Sequence, residues 1–131
     1  MIRSRYLFSF KLSIFLLAFA LPALAQDAPT YSRDVAPILQ QKCQSCHNPS
    51  GIGPMPLMNY GQVRPFAALI QDRTSKRIMP PWHLDPTIGI QGYKNDNSLS
   101  DKQIAMITAW VEAGSLEGNP ADLPVPIDIP T

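Results

Sequence analysis

Only two of the 131 residues are cysteine and only two are histidine. Both cysteines stand in one short segment, Cys43-Gln44-Ser45-Cys46, and His47 follows at once. No cysteine is left elsewhere to staple the fold or to complete a thiolate metal site. An excess of positive charge is also missing. The 11 Lys and Arg residues face 10 Asp and Glu, and a nucleic-acid binder would favour a basic face. No internal repeat is visible, and no run of alternating apolar and polar residues signals a strand. Nothing in the sequence supplies a substrate pocket with general acid or base residues, so a non-enzyme is expected.

One long hydrophobic run is present, at the N-terminus. Arg3, Arg5 and Lys11 lead into the uncharged stretch Leu12 to Leu21, Pro22 ends it, and Ala23-Leu24-Ala25 places small residues before a cleavage point. This layout predicts a secretory signal peptide over 1–25, removed after Ala25. The uncharged core is shorter than the ~20 residues of a membrane span. Membrane attachment is therefore expected only if the segment is retained, lengthened by Tyr6 to Phe10. The mature chain of 106 residues keeps eight basic against ten acidic residues, a formal charge of −2. On a bacterial assumption its location is the periplasm, where disulfides are permitted. A main domain is expected over 26–118, with a Pro-rich, extended tail over 119–131.

Three segments read as helices. Val35, Ile38 and Leu39 share a helical face in the first, about Ser32 to Lys42, with Ser32 as cap. Pro37 suits a first-turn position better than an interior one. The second runs from about Tyr60 to Lys76. Pro65 starts or kinks its main part, and Phe66, Leu69 and Ile70 form its buried stripe. The third runs from about Asp101 to Ala113. Ser100 and Gln103 have capping-box spacing, Ile104, Ile107 and Val111 share a face beside Trp110, and Gly114 ends it. Two long loops rich in Pro, Gly and Asn, His47 to Asn59 and Ile78 to Leu99, separate the helices. Loops of this length in a small domain are usually functional or disordered, and here the functional reading is preferred.

Cys43-x-x-Cys46-His47 is the attachment signature of a c-type haem. Two intervening residues let both thiols reach the two vinyl groups of the porphyrin. The next side chain then lies under the ring centre, where an imidazole nitrogen binds iron. A shuffled chain of this composition would produce the pattern in roughly 2 of 10,000 cases. The rival readings are weaker. A thioredoxin-like pair wants a βαβ setting, a zinc site wants four ligands, and a plain disulfide leaves the adjacent histidine without a role. One covalent haem c is the expected cofactor. Because a chain of this length buries a limited core, the haem is expected to form part of it.

The second axial position has several candidates: Met55, Met58, Met79, Met106 and His83. Met55 and Met58 follow His47 closely, so reaching the opposite face would need a tight return. Met106 falls inside the third helix. Met79 lies 32 residues after His47, far enough to travel round the haem edge. Pro80 and Pro81 restrict the turn that carries it. Met79 is the expected iron ligand with His47, and His83 is the alternative. Trp82 is expected in the core, with packing against the haem edge as the alternative, and Tyr60 is a candidate hydrogen-bond donor to a haem propionate. Arg64, Arg73, Lys76 and Arg77 form either a receptor for propionates or for an acidic redox partner, or an ordinary solvated face, the reading preferred.

Ser32-Arg33-Asp34-Val35-Ala36-Pro37-Ile38-Leu39, the Cys43 to His47 motif, Pro54-Met55-Pro56-Leu57, Met79-Pro80-Pro81-Trp82, Leu99-Ser100-Asp101 and the Ile107 to Gly114 stretch occur in one order. Together they resemble a class I-type cytochrome c domain over about Tyr31 to Leu123. More narrowly the chain resembles the bacterial Met-Pro-Pro-Trp cytochromes associated with copper type II ascorbate-dependent monooxygenase-like modules. The resemblance implies an all-α fold whose first and last helices cross beside the haem. It also implies Cys43 and Cys46 as attachment residues, with His47 and Met79 as axial ligands. The sequence has no following monooxygenase module and no copper-type cluster of His and Met, so copper activity is not carried over. The expected role is periplasmic electron transfer between redox partner proteins, possible partners including a membrane or periplasmic oxidoreductase. A subunit of a larger oxidoreductase and a haem-based small-ligand sensor stand as alternatives.

Overall fold

Thr30, rather than Ser32, starts the first helical segment. The structure is a computed structural model describing residues 27–82, 87–89, 93, 94 and 96–128. The segment 1–25, expected to be a signal peptide, and His83 lie outside the described residues. Thr30 Oγ1 accepts from the Arg33 N–H at 3.4 Å, and the Thr30 N–H donates to Asp34 Oδ2 at 2.7 Å. This exchange satisfies otherwise orphaned donors at the helix start. Ser32, the residue expected to cap, is buried instead, and its N–H donates to Glu117 O at 2.9 Å. Its hydroxyl has no partner among the described residues.

The segment opens as a π-helical turn, Tyr31–Val35, and continues as helix α1, Ala36–Lys42. Pro37 sits in the first turn of α1, where its missing N–H is tolerated. The second expected helix is split in three. Helix α2 spans Tyr60–Val63, a 3-10 turn spans Arg64–Phe66, and helix α3 spans Ala67–Ser75. Asn59 caps α2, accepting from the Gln62 N–H at 3.1 Å. The break falls at Pro65, which cannot donate into an α-helical ladder. The last helix, α4, spans Asp101–Glu112 and forms both halves of its capping box: Gln103 N–H to Ser100 Oγ at 3.3 Å, and Ser100 N–H to Gln103 Oε1 at 2.9 Å. Among the described residues the regular structure is helical, with no strand. All-α is the fold class.

Val35, Leu39, Val63, Ile107 and Trp110 are fully buried at the centre, each such apolar side chain stabilising the fold by roughly 1.5–3 kcal/mol. Helix α4 packs on α3 and on the π turn, so the first helical segment meets the last at its π-helical start. The turn after α4 closes this side. Leu116 O accepts from Tyr31 N–H and from Trp110 Nε1–H, each at 2.8 Å. Tyr60 Oη–H donates to Ser115 O at 3.0 Å. The Tyr31 ring packs on those of Tyr60 and Trp110, with centroids 5.5 and 6.3 Å away. Tyr60 is thus committed to the core side, which corrects its expected role toward a propionate. Beyond α4 the tail makes a 3-10 turn, Pro120–Asp122, and Gln40 Nε2–H reaches Val125 O at 2.7 Å.

Candidate functional site

Helix α1 ends at Cys43, and the chain turns tightly through the motif. The N–H groups of Cys46 and His47 both donate to Cys43 O, at 3.1 and 2.9 Å. The following loop then folds back over it. Gly53 N–H donates to Cys46 O at 2.8 Å and Leu57 N–H to His47 O at 2.9 Å. Buried Gln44 ties the return by donating from Nε2 to Leu57 O at 2.9 Å, and Asn48 Nδ2 donates to Gln44 O at 2.9 Å. Two glycines permit this closeness. A Cβ at Gly51 would stand 2.1 Å from Cys46 O, and one at Gly53 would stand 2.6 Å from His47 Nδ1. Neither approach is possible for a residue with a side chain unless the loop moves.

His47 Nδ1 lies 2.9 Å from Met55 O. A carbonyl only accepts, so Nδ1 carries the hydrogen and donates. The neutral ring then keeps its free lone pair on Nε2, the arrangement found in metal-binding histidines.

The motif side chains open on a cleft made of two adjoining cavities. The larger, about 330 Å³, lies within the ~300–1,000 Å³ range of small-molecule pockets. The smaller is about 160 Å³. Both are lined by Cys43, His47, Pro54, Thr74 and Met79. Leu57, Leu69, Ile70 and Ile78 make the larger one apolar, with Arg73 also on its wall. Cys46, Ile52 and Pro81 add to the smaller one. Leu69, expected in the core stripe, is 41 % exposed because it faces this cleft. The stripe packed into the core is Val63, Ala67, Ile70 and Thr74.

A larger hollow, about 450 Å³, lies between α1 and the tail. It contains no cysteine, histidine or cleft methionine, and its chemistry does not match the motif.

Met79 enters from the turn after α3, where its N–H donates to Arg73 O at 3.1 Å. Met55 also lines the larger cavity, but its carbonyl holds it beside the imidazole. Met58 faces the hollow on the other side, and Met106 packs partly buried on the core. Met79 is thus the methionine brought to the cleft by a segment remote from His47. Trp82, expected in the core, is 82 % exposed. The loop before α4 closes the wall near Lys42: Asn97 Nδ2–H donates to Lys42 O at 2.9 Å.

Both thiols are free, and burial pushes that of Cys43 up to about 12, with neighbouring Cys46 adding to the rise. A redox-active thiol pair needs the opposite, a stabilised thiolate. No group of three or more His, Cys, Asp or Glu side chains gathers among the described residues, so the donor set of a zinc site is not assembled there. The residues do fit the group implied by the motif: two thiols, an imidazole with Nε2 free and a thioether on one apolar cleft. Lys76 pairs with Asp72, four residues before it on the solvent side.

No family model, curated protein or solved structure matches the chain.

Gly51, Gly53 and Leu69 shape the site without having been singled out as its parts by the sequence. The adjacent Gly-x-Gly after the motif was the available signal for the two glycines. Leu69 carried none, because which side of α3 meets the cleft depends on the break at Pro65.

Proposed function

We propose that the chain is a monohaem c-type cytochrome of the class I type, transferring electrons between redox proteins in the periplasm. Cys43 and Cys46 would hold the haem through thioethers, His47 through Nε2, and Met79 through its sulfur. The observation that carries this reading is the Nδ1 hydrogen bond to Met55 O on a cleft lined by both thiols and Met79. It leaves a metal-binding nitrogen at the position in the motif where one is needed.

A bound haem supplies reversible one-electron iron chemistry. The chain's own residues do the rest. Met55 O orients the imidazole and increases its basicity. The thioether of Met79, as a ligand, would favour the ferrous state and raise the potential. With a haem in place, Leu57, Leu69, Ile70 and Ile78 would exclude water from its face, which would disfavour added charge there. The apolar side chains now exposed there would gain cover, so the cofactor would extend the core.

The test is covalent attachment. The chain is produced in a bacterial host with haem c maturation, denatured and separated by size. Haem that stays with the wild-type chain and is lost from Cys43→Ala/Cys46→Ala supports the proposal. A wild-type chain without covalent haem sinks it. The ferric spectrum then tests the ligand: the weak red charge-transfer band of methionine ligation is expected in the wild type and absent in Met79→Ala.

A further inference from the structure

We propose that Arg77 is a positioning residue for Met79, its guanidinium latching the turn after α3 to the start of α4. The inference rests on the reading of Met79 as an iron ligand.

Arg77 occupies the first position beyond the cap of α3 with φ 54°. Glycine is the usual residue there, since a Cβ is penalised in this conformation. The backbone alone completes the helix stop: Arg77 N–H donates to Thr74 O at 3.0 Å and Ile78 N–H to Arg73 O at 2.9 Å. Glycine would make the same bonds at lower conformational cost. What arginine adds is its side chain.

That side chain spans 22 to 24 positions of sequence. Nη1–H donates to Leu99 O at 3.1 Å, and Nη2 pairs with the Asp101 carboxylate. Leu99 is buried, so its carbonyl is a fixed acceptor. Asp101 is exposed, so that ion pair alone contributes little, and the Leu99 bond is the stronger half. Met79 follows two residues later and is not part of the buried core. Within Ile78 to Trp82 only Pro80 is buried. The sulfur is therefore held at the cleft by the helix-stop backbone, Pro80 and the Arg77 fork.

The experiment uses the full haem-loaded chain as wild type, Arg77→Gly, Arg77→Lys and Asp101→Asn. Imidazole is titrated into each ferric protein, and displacement of Met79 is read from loss of the red band. Arg77→Gly, which keeps the backbone conformation and removes the fork, should bind imidazole about tenfold more tightly than wild type. Arg77→Lys should fall between them, because an ammonium does not reproduce the planar fork. Asp101→Asn should change affinity less than about threefold. Amide hydrogen exchange gives a second readout: Ile78 and Met79 should exchange faster in Arg77→Gly while α4 is unchanged. Wild-type imidazole affinity and exchange in Arg77→Gly would overturn the latch alone. A wild type that holds haem without the red band would overturn both the ligand reading and the latch.

Discussion

Helices α3 and α4 end with the same backbone device but on opposite kinds of surface. At α4, Gly114 takes φ 93°, its N–H donates to Val111 O at 3.0 Å, and Ser115 N–H reaches Trp110 O at 2.9 Å. At α3, Arg77 and Ile78 make the equivalent pair of bonds. The α4 end closes on Tyr31, Tyr60 and Trp110, and the chain beyond it is pinned by hydrogen bonds from the first helical segment. The α3 end borders the cleft, where Leu69, Ile78 and Met79 are exposed. One end completes a core from the chain's own side chains. The other leaves an apolar wall that a cofactor would complete.

Substitutions on the two sides separate these roles. The largest loss is expected from Trp110→Ala, on the closed side. It removes a fully buried ring and the Nε1–H bond to Leu116 O, and should lower folding stability by about 3–5 kcal/mol in urea denaturation. A loss below about 1 kcal/mol would show that this side is not the core.

Gly53→Ala comes next, on the cleft side. Its methyl would collide with the His47 ring, at a cost of about 1–3 kcal/mol. The change should also alter the spectrum of the haem-loaded protein, which Trp110→Ala should leave nearer to wild type. An unchanged spectrum with Gly53→Ala would mean that the glycine does not set the imidazole.

At the helix ends, Gly114→Ala should destabilise by about 1–2 kcal/mol, since φ 93° disfavours a side chain. Arg77→Gly relieves the corresponding strain, so global stability should move by less than about 1 kcal/mol while Met79 is loosened. Equal losses in the two variants would erase the distinction between the ends.

The smallest effect concerns Asp34. Burial alone would raise its carboxyl, but the Thr30 N–H, the Arg33 side chain and the Arg33 charge outweigh it and hold it below the ordinary carboxylate range. A lowered folded-state value contributes stability above the unfolded carboxylate pKa, and that contribution is lost as pH falls through the folded value. The acid limb of the stability curve should therefore flatten in Asp34→Asn. An unchanged limb would remove this group from the account.

Features legible in the sequence are those whose cause is local. The Cys43 to His47 spacing, the Ser100–Gln103 box, the stop at Gly114 and the break at Pro65 each depend on a few neighbouring residues and on backbone rules that hold in any fold. The all-α class followed from the same signals. The start of the first helix did not, because Thr30 and Ser32 are equally good caps locally, and contact with Glu117 buried one of them. Tyr60 and Trp82 went astray for the same reason: a ring's place depends on which surface faces it. Tertiary structure alone decided that Gly53 touches His47, that Leu69 faces the cleft rather than the core, and that Arg77 bridges to Leu99. Those relations join segments up to tens of residues apart, through packing and hydrogen bonds that no local window contains.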